Sequence, residues 1–124
     1  MRVDSNGLVK WQKFYGPQAG TTEYDPFDVT NTSDNGFAIG AGYYPWNSNT
    51  QGCDPIIIKT DSLGNQQWLK HLGNPNCREE FAMVDIALDG NLQIDTAYSD
   101  SCYGNDDYFS RIKFVKIKNK GDIV

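Results

Sequence analysis

The sequence predicts an all-β fold, from a motif repeated at fixed spacing, short apolar runs, and turn residues set between them. Val3-Asp4-Ser5-Asn6-Gly7-Leu8-Val9-Lys10-Trp11 aligns with Thr60-Asp61-Ser62-Leu63-Gly64-Asn65-Gln66-Gln67-Trp68, and the Asp, Ser, Gly and Trp coincide. The step from Trp11 to Trp68 also separates Lys13 from Lys70, Gly16 from Gly73, Glu23 from Glu80, Lys59 from Lys116 and Gly64 from Gly121. The units run over residues 1–59 and 60–116, and residues 117–124 begin a third.

Each unit carries four strand signals. In the first they lie near Leu8 to Tyr15, Phe27 to Thr32, Phe37 to Tyr43 and Ile56 to Thr60. In the second they lie near Gln66 to Leu72, Phe81 to Leu88, Asn91 to Tyr98 and Tyr108 to Lys118. Asn6-Gly7, Asn35-Gly36, Leu63-Gly64 and Asp89-Gly90 are placed to supply the positive φ that tight hairpins need. Pro17, Pro26, Pro45, Pro55 and Pro75 fall in loops or at strand entrances, where no ladder bond is lost. No stretch keeps a helical period over three turns, so helix content is expected to be close to nil.

Ile56-Ile57-Ile58 and Phe81-Ala82-Met83-Val84 are apolar on both sides, whereas a sheet with one wet face would alternate. Two-sided burial suits small sheets sandwiched between similar neighbours. Four short antiparallel strands per unit then suggest about two β-propeller-like blades, with a tandem β-sandwich as the alternative. Propellers typically close with about 4 to 8 blades. The segment is therefore expected to be a fragment of a longer chain, with Met1 an added or internal start, or a part of a ring completed by other copies.

Asp and Glu number 16 against 11 Lys and Arg, a net charge of −5. That argues against nucleic acid or an anionic membrane, which need clustered positive charge. The basic residues Arg111, Lys113, Lys116, Lys118 and Lys120 alternate with Ile112, Phe114 and Ile117 and read as the polar side of a strand. No apolar run approaches the roughly 18 residues of a membrane span, and no signal peptide pattern opens the sequence.

The stretch Ile57-Ile58-Lys59-Thr60-Asp61-Ser62-Leu63-Gly64-Asn65-Gln66-Gln67-Trp68, with Leu72-Gly73, resembles a repeat of secreted Bacteroidetes proteins. That repeat reads I-K-x-D-x-x-G-x-x-x-W-x-K-x-x-G, then an acidic loop, then D-G-G-(F/Y)-x-x-x-G. Ser33-Asp34-Asn35-Gly36-Phe37-Ala38-Ile39-Gly40-Ala41-Gly42 fits it well. Leu88-Asp89-Gly90-Asn91-Leu92-Gln93-Ile94-Asp95 lacks the second Gly and the aromatic, and the third copy has Lys118 for the Asp. The resemblance implies export, often by the type IX secretion route, and roles as adhesins or surface scaffolds at the cell surface. Asp4, Gly7 and Trp11 are also similar to the Asp-box of sialidase-like propellers, with one extra residue on each side. Both are turn motifs and neither is catalytic.

Given export, Cys53, Cys77 and Cys102 favour a disulfide over a reactive thiol, with Cys77–Cys102 preferred and Cys53–Cys77 the alternative. They match no zinc spacing, and the lone His71 falls within a strand. Calcium has candidates in Asp4-Ser5-Asn6-Gly7 and Asn105-Asp106-Asp107, though the twelve-residue EF-hand pattern is absent. Tyr43, Tyr44, Trp46 and Asn47 form the aromatic and amide cluster best suited to a glycan. Asp61-Ser62-Leu63 and Asp95-Thr96-Ala97 resemble the Bacteroidetes O-glycosylation signal, with Ser62 in the more accessible turn.

No His, Ser or Cys constellation marks a reaction. The expected function is a non-catalytic extracellular scaffold or adhesion module that binds other blades, a glycan or a cell-surface protein. The alternatives are part of a carbohydrate-active propeller enzyme, which needs two carboxylates about 5 to 9.5 Å apart, and a self-assembling protein that completes its ring as a homo-oligomer.

Overall fold

The computed structural model describes residues 1–16, 22–45, 54–72, 79–86, 92–99, 110–118 and 120–123. The strands are β1 (Arg2–Val3), β2 (Val9–Trp11), β3 (Thr22–Asn31), β4 (Phe37–Pro45), β5 (Asp54–Thr60), β6 (Gln66–His71), β7 (Glu79–Ile86), β8 (Leu92–Ser99) and β9 (Ser110–Ile117). Among the described residues there is no helix, and none long and apolar enough to cross a membrane. The strands form a two-stranded hairpin β1-β2, a four-stranded meander β3-β4-β5-β6 and a three-stranded meander β7-β8-β9. Among the described residues every pairing is antiparallel.

The repeat is visible in the ladders. The last pair of β3 and β4, Asn31↔Phe37, has its counterpart in Ile86↔Leu92 of β7 and β8, which falls two residues short of the Trp11-to-Trp68 step. Thr60↔Gln66 recurs exactly one repeat later as the isolated bridge Ile117↔Ile123. The sheets are nonetheless out of phase with the sequence units. β6 opens the second unit, yet it pairs with β5 from Ile56↔His71 to Thr60↔Gln66. The connection Asp61–Asn65 is too short for anything but a hairpin, so the chain folds straight back onto β5. In the first unit, the segment expected as a strand from Leu8 to Tyr15 is ordered as strand only over β2, against the two-residue β1.

One turn geometry recurs in four hairpins. Asp4 N–H donates to Leu8 O and Gly7 N–H to Asp4 O; Asp61 with Gly64, and Lys118 with Gly121, repeat both bonds one and two repeats later. Thr32 N–H to Gly36 O and Asn35 N–H to Thr32 O make the same pair in the β3–β4 hairpin. This is the three-residue loop whose last position is left-handed, occupied by Gly7 (φ 80), Gly64 (φ 75), Gly121 (φ 92) and Asn35 (φ 63). The left-handed residue of Asn35-Gly36 is thus Asn35, a residue type that tolerates that region, and Gly36 answers a different constraint.

The aspartates secure these turns. Asp4 Oδ1 accepts the N–H groups of Asn6 (2.9 Å) and Leu8 (3.0 Å), and Asp61 Oδ1 accepts those of Leu63 and Asn65 (both 2.8 Å). Lys118 stands at the same place in the third turn and offers no acceptor. Lys118→Asp is expected to slow amide exchange at Lys120 and Asp122 by about fivefold, the equivalent of one net hydrogen bond. Unchanged exchange at both amides would refute this.

The core lies on both faces of β4 and β5, as the apolar run Ile56-Ile57-Ile58 predicts. On one face Ala38 and Ile57 pack with Val115 and Ile117 of β9, flanked by Trp68 and Leu72. On the other, Ala41, Ile56 and Ile58 pack with Tyr15, Tyr24, Ile39, Tyr43 and Leu69. Each of the three isoleucines is buried, which stabilises by about 1.5–3 kcal/mol apiece. Ala38, Gly40, Ala41 and Gly42 keep β4 thin between these layers. β7, which contains Phe81-Ala82-Met83-Val84, lies against β3, β4 and β5.

Candidate functional site

Two contacts of the same form join successive hairpins. The Trp11 ring lies on Gly64, where an added Cβ would come within 2.8 Å of ring carbons Cη2 and Cζ3. Both partners recur one repeat later: the Trp68 ring lies against Gly121, whose Cβ would stand 3.5 Å from the nearest ring atom. Each glycine carbonyl also accepts a side-chain bond, from Tyr15 OH at 2.8 Å on Gly64 and from Lys70 Nζ on Gly121. Lys13 Nζ adds a bond to Asn65 Oδ1 at 2.9 Å. Glycine serves twice at these positions: it takes the left-handed φ, and it leaves room for an indole.

Burial, then the nearby charge of Asp61, raise the Tyr15 hydroxyl above its ordinary pKa, partly offset by a hydrogen bond with Thr60. That phenol therefore stays a neutral donor at physiological pH. The Asp61 carboxyl is lowered, first by the Asn65 backbone N–H and then by the Asn65 side chain.

Beneath the β3–β4 turn sits an ion pair between a buried lysine and a partly exposed aspartate. Lys59 is fully buried, and its Nζ reaches Asp34 Oδ1 (2.9 Å) and Oδ2 (2.8 Å), Thr60 O (2.8 Å) and Gln67 Oε1 (3.0 Å). Burial acts to raise the Asp34 carboxyl, but bonds from Lys59, Thr32 and the Gly36 N–H, with the Lys59 charge, outweigh it and hold it at about 2. Asp34 thereby ties the turn to β5, a structural task. A lysine inside Ile-Ile-Ile-Lys-Thr was the available sequence signal, since an alternating strand with a wet face would not surround it with isoleucine.

A groove of about 520 Å³ opens beside the first hairpin, lined by Arg2, Trp11, Phe27, Val29, Phe37 and Ile39 among others. Trp11 meets Phe37 edge-on at 5.8 Å, and the Arg2 guanidinium stands 6.0 Å from the same ring. Arg2 also donates to Ser62 O at 3.0 Å. Trp11 Nε1 is buried and, among the described residues, has no hydrogen-bond partner. Val29 is 60% and Phe27 37% exposed, so an apolar surface faces solvent here.

Among the described residues, those singled out from sequence are not drawn together. Tyr43 is half-buried, edge-on to Tyr24 at 5.9 Å and to His71 at 4.9 Å. Tyr44 follows it on β4, opposite Glu23, and so takes the other face of the sheet. The two rings therefore do not share one platform. Burial raises Tyr24, with Tyr43 adding to it, and burial raises Asp54, partly offset by His71. Ser62 is half-buried in its turn. Asp4 is engaged by its own turn, and among the described residues no three metal-ligating side chains cluster. Trp46, Asn47, Cys53, Cys77, Cys102 and Asn105 to Asp107 lie outside the described residues. Sequence reading missed the groove, because Trp11, Phe27 and Phe37 come from three separate strand signals. No family model, curated protein or solved structure matches this chain.

Proposed function

We propose that the chain is a non-catalytic extracellular scaffold or adhesion module made of stacked propeller-type blades. The observation that carries this reading is the joint of Trp11 on Gly64, repeated one unit later as Trp68 on Gly121. Nearest-neighbour contacts of constant form are how repeat proteins build extended surfaces. The residues of the repeated motif go into turns and joints, which leaves binding to the faces and loops that the stacking displays. The extracellular setting rests on the resemblance to secreted Bacteroidetes repeats.

The test is binding without turnover. Labelled protein applied to glycan arrays and intact cells is expected to be retained, with chromogenic glycosides left uncleaved. Glycoside turnover that disappears on a single change such as Asp28→Asn would replace this reading with the carbohydrate-active one.

A further inference from the structure

The edges of β2 and β9 have complementary deficits. β5 carries β6 along its outer edge over five paired positions, whereas β9 carries there, among the described residues, only the bridge Ile117↔Ile123. β2 is the repeat counterpart of β6 and, among the described residues, pairs with nothing but β1, through Arg2↔Trp11 and Val3↔Val9. Gln12 to Tyr15 continue it outside any strand, with Phe14 89% exposed and Leu8 and Val9 exposed. β6 pairs back onto β5 over five positions and at the same time stacks Trp68 forward on Gly121; β2 stacks Trp11 forward on Gly64 but, among the described residues, pairs back only onto the two-residue β1. Donating β2 to a neighbour therefore sacrifices none of its stacking.

The sheet faces repeat this asymmetry. Val115 and Ile117 of β9 lie on the Ala38–Ile57 face of the four-stranded sheet. Their repeat counterparts, Ile58 and Thr60, belong to the opposite face of that sheet, the one that opens into the groove beside Phe27 and Val29. The groove thus stands where a neighbouring sheet would present its Ala38–Ile57 type of face. The counterpart of the fully buried Lys59 on the second sheet, Lys116, is partly exposed.

Resting on the stacked-unit reading, we infer that a second copy of this chain fills both deficits, its Val9–Tyr15 strand adding to β9 and its groove receiving the β7–β9 sheet. Copying the β5–β6 register pairs Lys116, Val115, Phe114 and Lys113 of one copy with Trp11, Gln12, Lys13 and Phe14 of the second copy. β1 yields its place to the end of β9, and the Ile117↔Ile123 bridge opens, so three short pairings give way to at least four continuous ones. The contact is head-to-tail, which closes into a ring or runs on as a filament.

Sedimentation of the full chain at rising concentration tests this. Wild type is expected to associate. Gln12→Pro and Lys13→Pro alter two consecutive residues outside any strand, one of whose N–H groups must face β9. Val29→Glu places a charge in the groove at an exposed site. All three are expected to weaken association about tenfold or more; the thermal transition of the dilute monomer stays unchanged in Gln12→Pro and Val29→Glu, while Lys13→Pro also loses the Lys13–Asn65 bond. Association that persists in all three variants overturns the inference. A monomer at every concentration that is still destabilised by Trp68→Ala overturns it alone. A monomer indifferent to Trp68→Ala overturns the stacked-unit reading with it.

Discussion

Gly36→Ala is expected to destabilise the protein by about 3 kcal/mol or more, although its backbone is not left-handed. A Cβ at this position would stand 2.0 Å from Thr60 O, 2.8 Å from Lys59 Nζ and 3.1 Å from the Thr60 carbonyl carbon. The nearest atom is backbone in the buried strand β5, so no flexible side chain can swing aside. Relief requires the hairpin tip to lift away from β5. That loosens Phe37↔Thr60, the first pair of the β4–β5 ladder, and the Thr32 N–H to Gly36 O bond beside it. Overpacking costs about 1–3 kcal/mol and each lost hydrogen bond about 0.5–1.5 kcal/mol more. Asn35→Gly, one residue earlier, relieves a φ of 63° and is expected to stay within about 1 kcal/mol of the parent. Urea unfolding separates the two sites, and equal tolerance of both changes would refute the assignment.

That contrast marks where sequence reasoning succeeds and where it stops. Asn35-Gly36 announces a hairpin because both residue types accept positive φ, but composition cannot say which of them is left-handed. The answer depends on where the Thr60 carbonyl lies, a contact with a different strand far along the chain. Gly64 is the easier case, since its sequence neighbourhood already demands the left-handed turn; the indole of Trp11 above it is again a long-range fact. The β-class was legible from strand spacing and turn chemistry, which are local. The sheet to which β6 belongs was not, because a repeat boundary drawn on sequence similarity carries no information about which neighbour a strand joins. For Tyr43 and Tyr44 the aromatic content was legible, but strand alternation sends the pair to opposite faces. The groove needed residues from β2, β3 and β4 at once, and nothing in their spacing relates them.

Removing the Asp34 carboxylate is expected to cost about 3 kcal/mol, more than removing the lysine it pairs with. The asymmetry follows from exposure, because Lys59 is 0% exposed and Asp34 is 42% exposed. Asp34→Ala leaves a buried ammonium with only the neutral acceptors Thr60 O and Gln67 Oε1. It also removes the acceptor of the Gly36 N–H and of the Thr32 hydroxyl. Lys59→Met leaves a partly solvated carboxylate that keeps those two donors, and is expected to cost about 1–2 kcal/mol. In the double variant no buried charge remains, so its loss should fall below the sum of the single losses. The same pair sets an acid limit. Asp34 titrates at about 2 in the folded chain against an ordinary 3.8, so its stabilisation is complete above about pH 4 and is lost as pH falls through 2. Subtracting the Lys59→Met stability curve from that of wild type cancels the other carboxylates, including the lowered Asp61. The difference should decline between about pH 4 and 2 and stay level above. A difference that is flat throughout, or that grows as pH falls, would remove the ion pair from the account of stability.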